Sequence, residues 1–125
     1  MEKTDKVVEK IKKFGGGNVK FIILYGSQAT QNQTPFSDTD IAVYYDAAKE
    51  ERFKFRMKIL GRVDDKYDVQ IFQDLPLYIK KDVIKGKILY TTDKRLLYDI
   101  SRKTYREFDD FKKRFYDYIQ KGVIT

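Results

Sequence analysis

Val19-Lys20-Phe21-Ile22-Ile23-Leu24-Tyr25-Gly26-Ser27 decides how this chain is read. Seven residues of continuous apolar, β-branched and aromatic character predict a strand buried on both faces, and Gly26-Ser27 ends it. The polar segment 28–37, with Pro35 near its end, predicts a short helical turn followed by loop. Strand character returns from Thr39 to Tyr45. Upstream, Val7, Val8, Ile11 and Phe14 fall at helical spacing, and Gly15-Gly16-Gly17 stops that helix. Downstream the pattern predicts a helix over 47–60 with Phe53, Met57 and Leu60 on its buried stripe, then a strand over 67–72. Pro76 opens a short helix carrying Leu77, Val83 and Ile84, which Gly86 ends, and Ile88-Leu89-Tyr90 forms a fourth strand. Asp93 can cap a last helix whose Leu96, Leu97, Ile100, Phe108, Phe111, Phe115, Tyr118 and Ile119 make one broad apolar stripe. Strands and helices alternate without repeats. The expectation is an α/β (α+β) domain over 1–125, a small mixed sheet of about four strands flanked by helices, with a core at 19–92 and a C-terminal helix at 93–120.

Composition removes several chemistries. The chain has no cysteine, which excludes thiolate catalysis and cysteine-held zinc and fits a reducing compartment. It has no histidine either, so any metal must be held by oxygen, which favours hard cations such as magnesium. No apolar run approaches the roughly 20 residues needed to span a bilayer. Met1-Glu2-Lys3-Thr4-Asp5-Lys6 leads into no signal core, so a cytoplasmic location is expected. The 26 basic residues are interleaved with 19 acidic ones, and the net charge of +7 is first of all a solvated surface. Between Lys20 and Lys49, however, there is no Lys or Arg, while Asp38, Asp40 and Asp46 all fall there. Carboxylates crowded without a counter-charge favour a bound cation, although a basic side chain brought in by folding would serve equally.

Asp38 and Asp40 head the second strand, and alternate strand residues share a face. Alone, such a pair is a weak signal, because solvated loops are full of them. Gly26-Ser27 sits where a strand gives way to a helix start, whose free N–H groups attract anions. Glycine lets a phosphate approach the backbone and the serine hydroxyl can donate to it, though the same dipeptide makes ordinary turns. Asp68, in Lys66-Tyr67-Asp68-Val69-Gln70-Ile71-Phe72, completes three carboxylates if its strand lies beside that of Asp40. Otherwise it is simply a polar strand start. Three converging oxygen donors suit two magnesium ions bridged by nucleotide phosphates.

Taken together, a strand, Gly26-Ser27, nine further residues and Ser37-Asp38-Thr39-Asp40 resemble the signature of the DNA polymerase beta-type nucleotidyltransferases. Size and spacing are most similar to the minimal nucleotidyltransferase (MNT) family. Asp68-Val69-Gln70-Ile71 with Leu75-Pro76 resembles its third-carboxylate strand, and residues 82–90 resemble its next segment. The resemblance implies that Gly26 and Ser27 hold the triphosphate of ATP. It also implies that Asp38 and Asp40 ligate two Mg2+ ions, and that Asp68 binds the catalytic ion and helps deprotonate the acceptor hydroxyl. The chain departs from the family pattern at Thr30-Gln31, where Arg-Gly is frequent, at Thr39, where an aliphatic residue is usual, and at Gln70, where an apolar one is common.

The sequence is quieter about the acceptor. Lys80, Lys81, Lys85 and Lys87 form no stacking platform, so nucleic acid is not the expected partner. The resemblance implies an antitoxin that transfers AMP to a tyrosine of a HEPN-domain ribonuclease toxin. Two alternatives stay open, a small-molecule adenylyltransferase of the aminoglycoside-modifying type and an antitoxin that acts by binding alone. The aromatics between Tyr98 and Tyr118 are expected chiefly to cover the domain's own sheet and secondarily to meet a partner. A homo-oligomer also remains open.

Overall fold

The computed structural model describes residues 3–26 and 38–120. Its elements are α1 (Thr4–Gly15), β1 (Val19–Tyr25), β2 (Thr39–Tyr45), α2 (Lys49–Leu60), β3 (Tyr67–Ile71), α3 (Leu77–Ile84), β4 (Lys87–Thr91) and α4 (Lys94–Tyr118). The strands form one sheet in the order β3-β2-β1-β4. β1 pairs antiparallel with both β2 and β4, whereas β2 and β3 run parallel across the α2 crossover, so the sheet is mixed as expected.

β1 is central because nearly every residue in it is apolar. One side chain row, Val19 and Ile22, joins Ile41, Val43, Val69 and Ile71 in a core completed by Val7 and Ile11 of α1 and Phe55 and Ile59 of α2. The other row, Phe21, Ile23 and Tyr25, packs with Ala42, Phe72 and Val83, with Leu97 and Ile100 of α4 against it. Phe21 is fully buried and meets Tyr44 and Phe72 at ring-centroid separations of 5.1 and 5.5 Å. Burying each such side chain contributes about 1.5–3 kcal/mol. β4 can close on β1 because a Cβ at Gly86 would overlap the Leu24 carbonyl oxygen.

Two expectations need correction. Of Phe53, Met57 and Leu60, only Leu60 packs against the core, and it does so partly buried. Phe53 and Met57 are 61% and 41% exposed, and the helix instead buries Phe55 and Ile59. Phe55 stacks on Tyr45 at 4.1 Å, and Arg52 and Arg56 share its side of the helix, so two of the inward positions are arginines. Arg52 pairs with Asp74 at 2.8 Å, and Arg56 Nε donates to the Val69 carbonyl at 2.8 Å. A count of apolar residues cannot find a stripe built partly of arginine stems.

The second correction concerns α4. Asp93 does cap it, accepting from the N–H groups of Arg95 and Leu96 at 3.0 and 3.1 Å. Its first turns pack on the domain as far as buried Thr104. Beyond that, Phe111, Phe115, Tyr116 and Tyr118 are about half exposed, and Phe115 meets the rings of Phe111 and Tyr116, so they do not cover the sheet.

Candidate active site

Antiparallel pairing brings the end of β1 against the start of β2, and parallel pairing brings the start of β3 beside it. Tyr25 is the register partner of Asp40, and Asp40 is the register partner of Asp68. Neighbouring strands lie about 4.8 Å apart and paired residues share a face, so Tyr25, Asp40 and Asp68 stand in a row on the α3 side of the sheet. Asp38, two residues before Asp40, is exposed at the same edge. The fold therefore sets Asp40 beside Asp68 on neighbouring strands, with Asp38 two residues upstream at the same edge.

The electrostatics report this crowding. Asp40 is half-buried, and its carboxyl is pushed above the ordinary carboxylate range, first by burial and then by Asp68 and Asp38. Both charges acting on it are negative. Tyr25, beside it, is pushed up to about 12 by burial and then by Asp40 and Asp68, so its phenol stays neutral at physiological pH.

Gly26 adopts φ +78°, a left-handed conformation open to glycine, and a Cβ there would overlap Asp40 Oδ2. The missing side chain is therefore what allows the turn and the carboxylate to sit together. Ser27, Thr30 and Gln31 lie outside the described residues. Thr39 points inward and is buried, filling the place of an aliphatic side chain, while its N–H donates to Lys66 O at 2.8 Å.

Two partners of Asp68 were not foreseen. Gln70 is two residues on and on the same face, and its Nε2 donates to Asp68 Oδ1 and Oδ2 at 3.1 and 3.3 Å. Arg56 reaches round the outer edge of β3, bringing Nη2 to 3.8 Å from Asp68 Oδ1. The period-two spacing of Asp68 and Gln70 carries the first of these contacts, but nothing local links Arg56 to β3. The pair holds the Asp68 carboxylate toward the sheet edge. Among the described residues no three acidic side chains converge into a ready-made metal cage. The donor set nonetheless fits a hard divalent cation: oxygen ligands and mutual repulsion at Asp40.

Comparison with known proteins agrees with this geometry. Residues 6–95 match the family described as Polymerase beta, Nucleotidyltransferase. A Methanocaldococcus jannaschii protein assigned as a protein adenylyltransferase is 37% identical over 93 residues, covering 74% of this chain and 72% of the relative. Among solved structures, a toxin–antitoxin complex with AMP-PNP superposes with TM-score 0.74 at 20% identity, covering 95% of this chain and 98% of that one. The complex of a tri-AMPylated Shewanella oneidensis HEPN toxin with an MNT antitoxin gives 0.67 at 18% identity, covering 94% and 93%. These structural likenesses show the fold. With the family match spanning most of the chain and a relative sharing more than a third of the aligned positions, the chain is a nucleotidyltransferase of the polymerase beta family.

Proposed function

We propose that the protein transfers AMP from ATP to a protein hydroxyl, a tyrosine of a HEPN-domain ribonuclease toxin, and so acts as a cytoplasmic antitoxin. The observation that carries the reading is the row formed by the Gly26 turn, Asp40 and Asp68, in which a glycine is required for the turn to lie against a carboxylate. The M. jannaschii relative supports protein as the acceptor class, and the Shewanella complex supports a HEPN toxin. The half-exposed rings at the far end of α4 support contact with a protein partner.

Gly26 would let the triphosphate lie along the backbone, and Ser27 would donate its hydroxyl to a phosphate oxygen. Asp38, Asp40 and Asp68 would hold Mg2+, which when bound neutralises phosphate charge and acidifies the acceptor hydroxyl. Asp68 accepts the proton of that hydroxyl as its oxygen forms a bond to the α-phosphorus. The bond to the bridging α,β-oxygen breaks and pyrophosphate leaves. Tyr25, neutral and buried beside Asp40, lines the floor without competing for the proton.

Incubation with α-labelled ATP, Mg2+ and a HEPN ribonuclease tests the reading. Label on a toxin tyrosine, lost with Asp40→Asn, is the expected result. Full transfer by purified Asp40→Asn sinks it. Unlabelled toxin whose ribonuclease activity nevertheless disappears would instead establish inhibition by binding.

A further inference from the structure

We propose that the cleft between α2 and β3, on the outer side of Asp68, receives the phenol side chain of the acceptor. The inference deepens the transfer reading and rests on it. The cleft encloses about 200 Å³ and is lined by Lys49, Phe53, Arg56, Gln70, Ile71 and Asp74. Two of these residues, Arg56 and Gln70, also touch the Asp68 carboxylate, so these two side chains connect the cleft to the group assigned to take the acceptor proton.

Its position follows from the sheet order. The Gly26 turn lies on β1, Asp40 on β2, Asp68 on β3, and the cleft lies beyond β3 at the outer edge. Displacement at phosphorus is in line, with the attacking oxygen opposite the departing pyrophosphate. A triphosphate anchored at Gly26 directs pyrophosphate toward β1, so the acceptor enters from the side of β3. Among the described residues, this cleft is a hollow on that side.

Its chemistry selects the acceptor. Phe53 is 61% exposed although the core has no need of it there, and it offers apolar area to a ring over the buried Ile71. The Arg56 guanidinium adds a cation for an aromatic face and donors for a phenolic oxygen. A side chain with an apolar body and a hydroxyl tip uses both. A nucleic-acid 3′-hydroxyl would require a basic track for its phosphates, but Asp74 is acidic and already holds Arg52. In the step, the phenol oxygen bonds to the α-phosphorus, its proton passes to Asp68, and pyrophosphate departs with the electron pair of the broken P–O bond.

The absence of cysteine makes the test direct. Phe53→Cys is labelled with a bulky maleimide, and Glu9→Cys on exposed α1 serves as the labelled control. AMP transfer to the HEPN ribonuclease is measured together with AMP-PNP binding in Mn2+ by calorimetry. Labelling Phe53→Cys is expected to slow transfer at least about tenfold relative to the same variant unlabelled. The labelled control stays within about twofold, and AMP-PNP affinity stays within about twofold throughout. Separately, N-acetyl-tyrosinamide added to the Mg2+–AMP-PNP complex of the wild type is expected to shift the amide resonances of Phe53, Arg56 and Gln70. Equal transfer by labelled and unlabelled Phe53→Cys, or resonance shifts confined to other residues, overturns the cleft while leaving transfer intact. A wild-type protein that neither transfers AMP nor binds AMP-PNP removes the transfer reading, and the cleft with it.

Discussion

Asp40 carries its charge against partial burial and two neighbouring carboxylates. Its raised folded-state pKa means that the folded protein holds this proton more tightly than the unfolded chain does. Stability from protonated Asp40 is therefore present at low pH and is lost as pH climbs above 3.8, where the unfolded chain ionises first. At neutral pH the ionised group costs stability. Asp40→Asn is accordingly expected to abolish transfer yet raise the melting temperature by a few degrees at pH 7, with the gain vanishing near pH 3. A parallel series of melts in scanning fluorimetry checks it. Tyr25 gives a second window. Its phenol ionises near 10.0 when unfolded and near 12 in place, so the folded state loses stability between these values. Tyr25→Phe should flatten that alkaline loss, and urea melts at pH 9 and 11.5 would reveal it. Gly26→Ala meets both an unfavourable φ and Asp40 Oδ2. It should cost about 1–2 kcal/mol of stability and most of the activity, separable by comparing melts with transfer rates.

At the scale of elements, α4 does two jobs along one stripe. Leu97 and Ile100 are partly buried against the second core, whereas Phe111 and Phe115 are half exposed. Leu97→Ala should therefore destabilise by about 1–3 kcal/mol, toward the low end of buried-leucine losses, in denaturant unfolding. Phe111→Ser with Phe115→Ser should leave unfolding within about 0.5 kcal/mol of wild type while weakening capture of the HEPN ribonuclease in a pull-down. Equal stability losses from both sets would mean that the distal rings pack on the domain after all. The edge strand β3 shows a related division of labour. Arg56 donates to the Val69 carbonyl, which blunts an edge otherwise open to pairing, and the same guanidinium reaches Asp68. A part-exposed pair at 3.8 Å contributes little stability, so its position beside the site is the more informative property.

For the whole molecule, the acids placed at one sheet edge are expected to make stability respond to a bound cation. Millimolar Mg2+ or Mn2+ with AMP-PNP should raise the melting temperature of the wild type, and chelation should reverse it. Asp38→Asn should respond much less. An unchanged wild-type melt under saturating nucleotide and metal would count against the site as drawn. The eight elements were legible because their signals are local: a continuous apolar run for β1, glycines after α1 and α3, and an acidic cap at Asp93. The closeness of Gly26 and Asp40 was legible because they flank one connection, and short-range geometry brings its ends together. The family likeness narrowed the remaining choices. What the amino-acid order determined by itself was the succession of strands and helices, the exclusion of imidazole and thiolate chemistry, and the candidate carboxylates. Only the tertiary structure decided that β3 lies parallel to β2 at the sheet edge, that α2 turns Arg56 rather than Phe53 inward, and that α4 runs past the domain. These depend on contacts between residues distant in the chain, where the rotation of a helix and the order of strands are set by how whole surfaces fit.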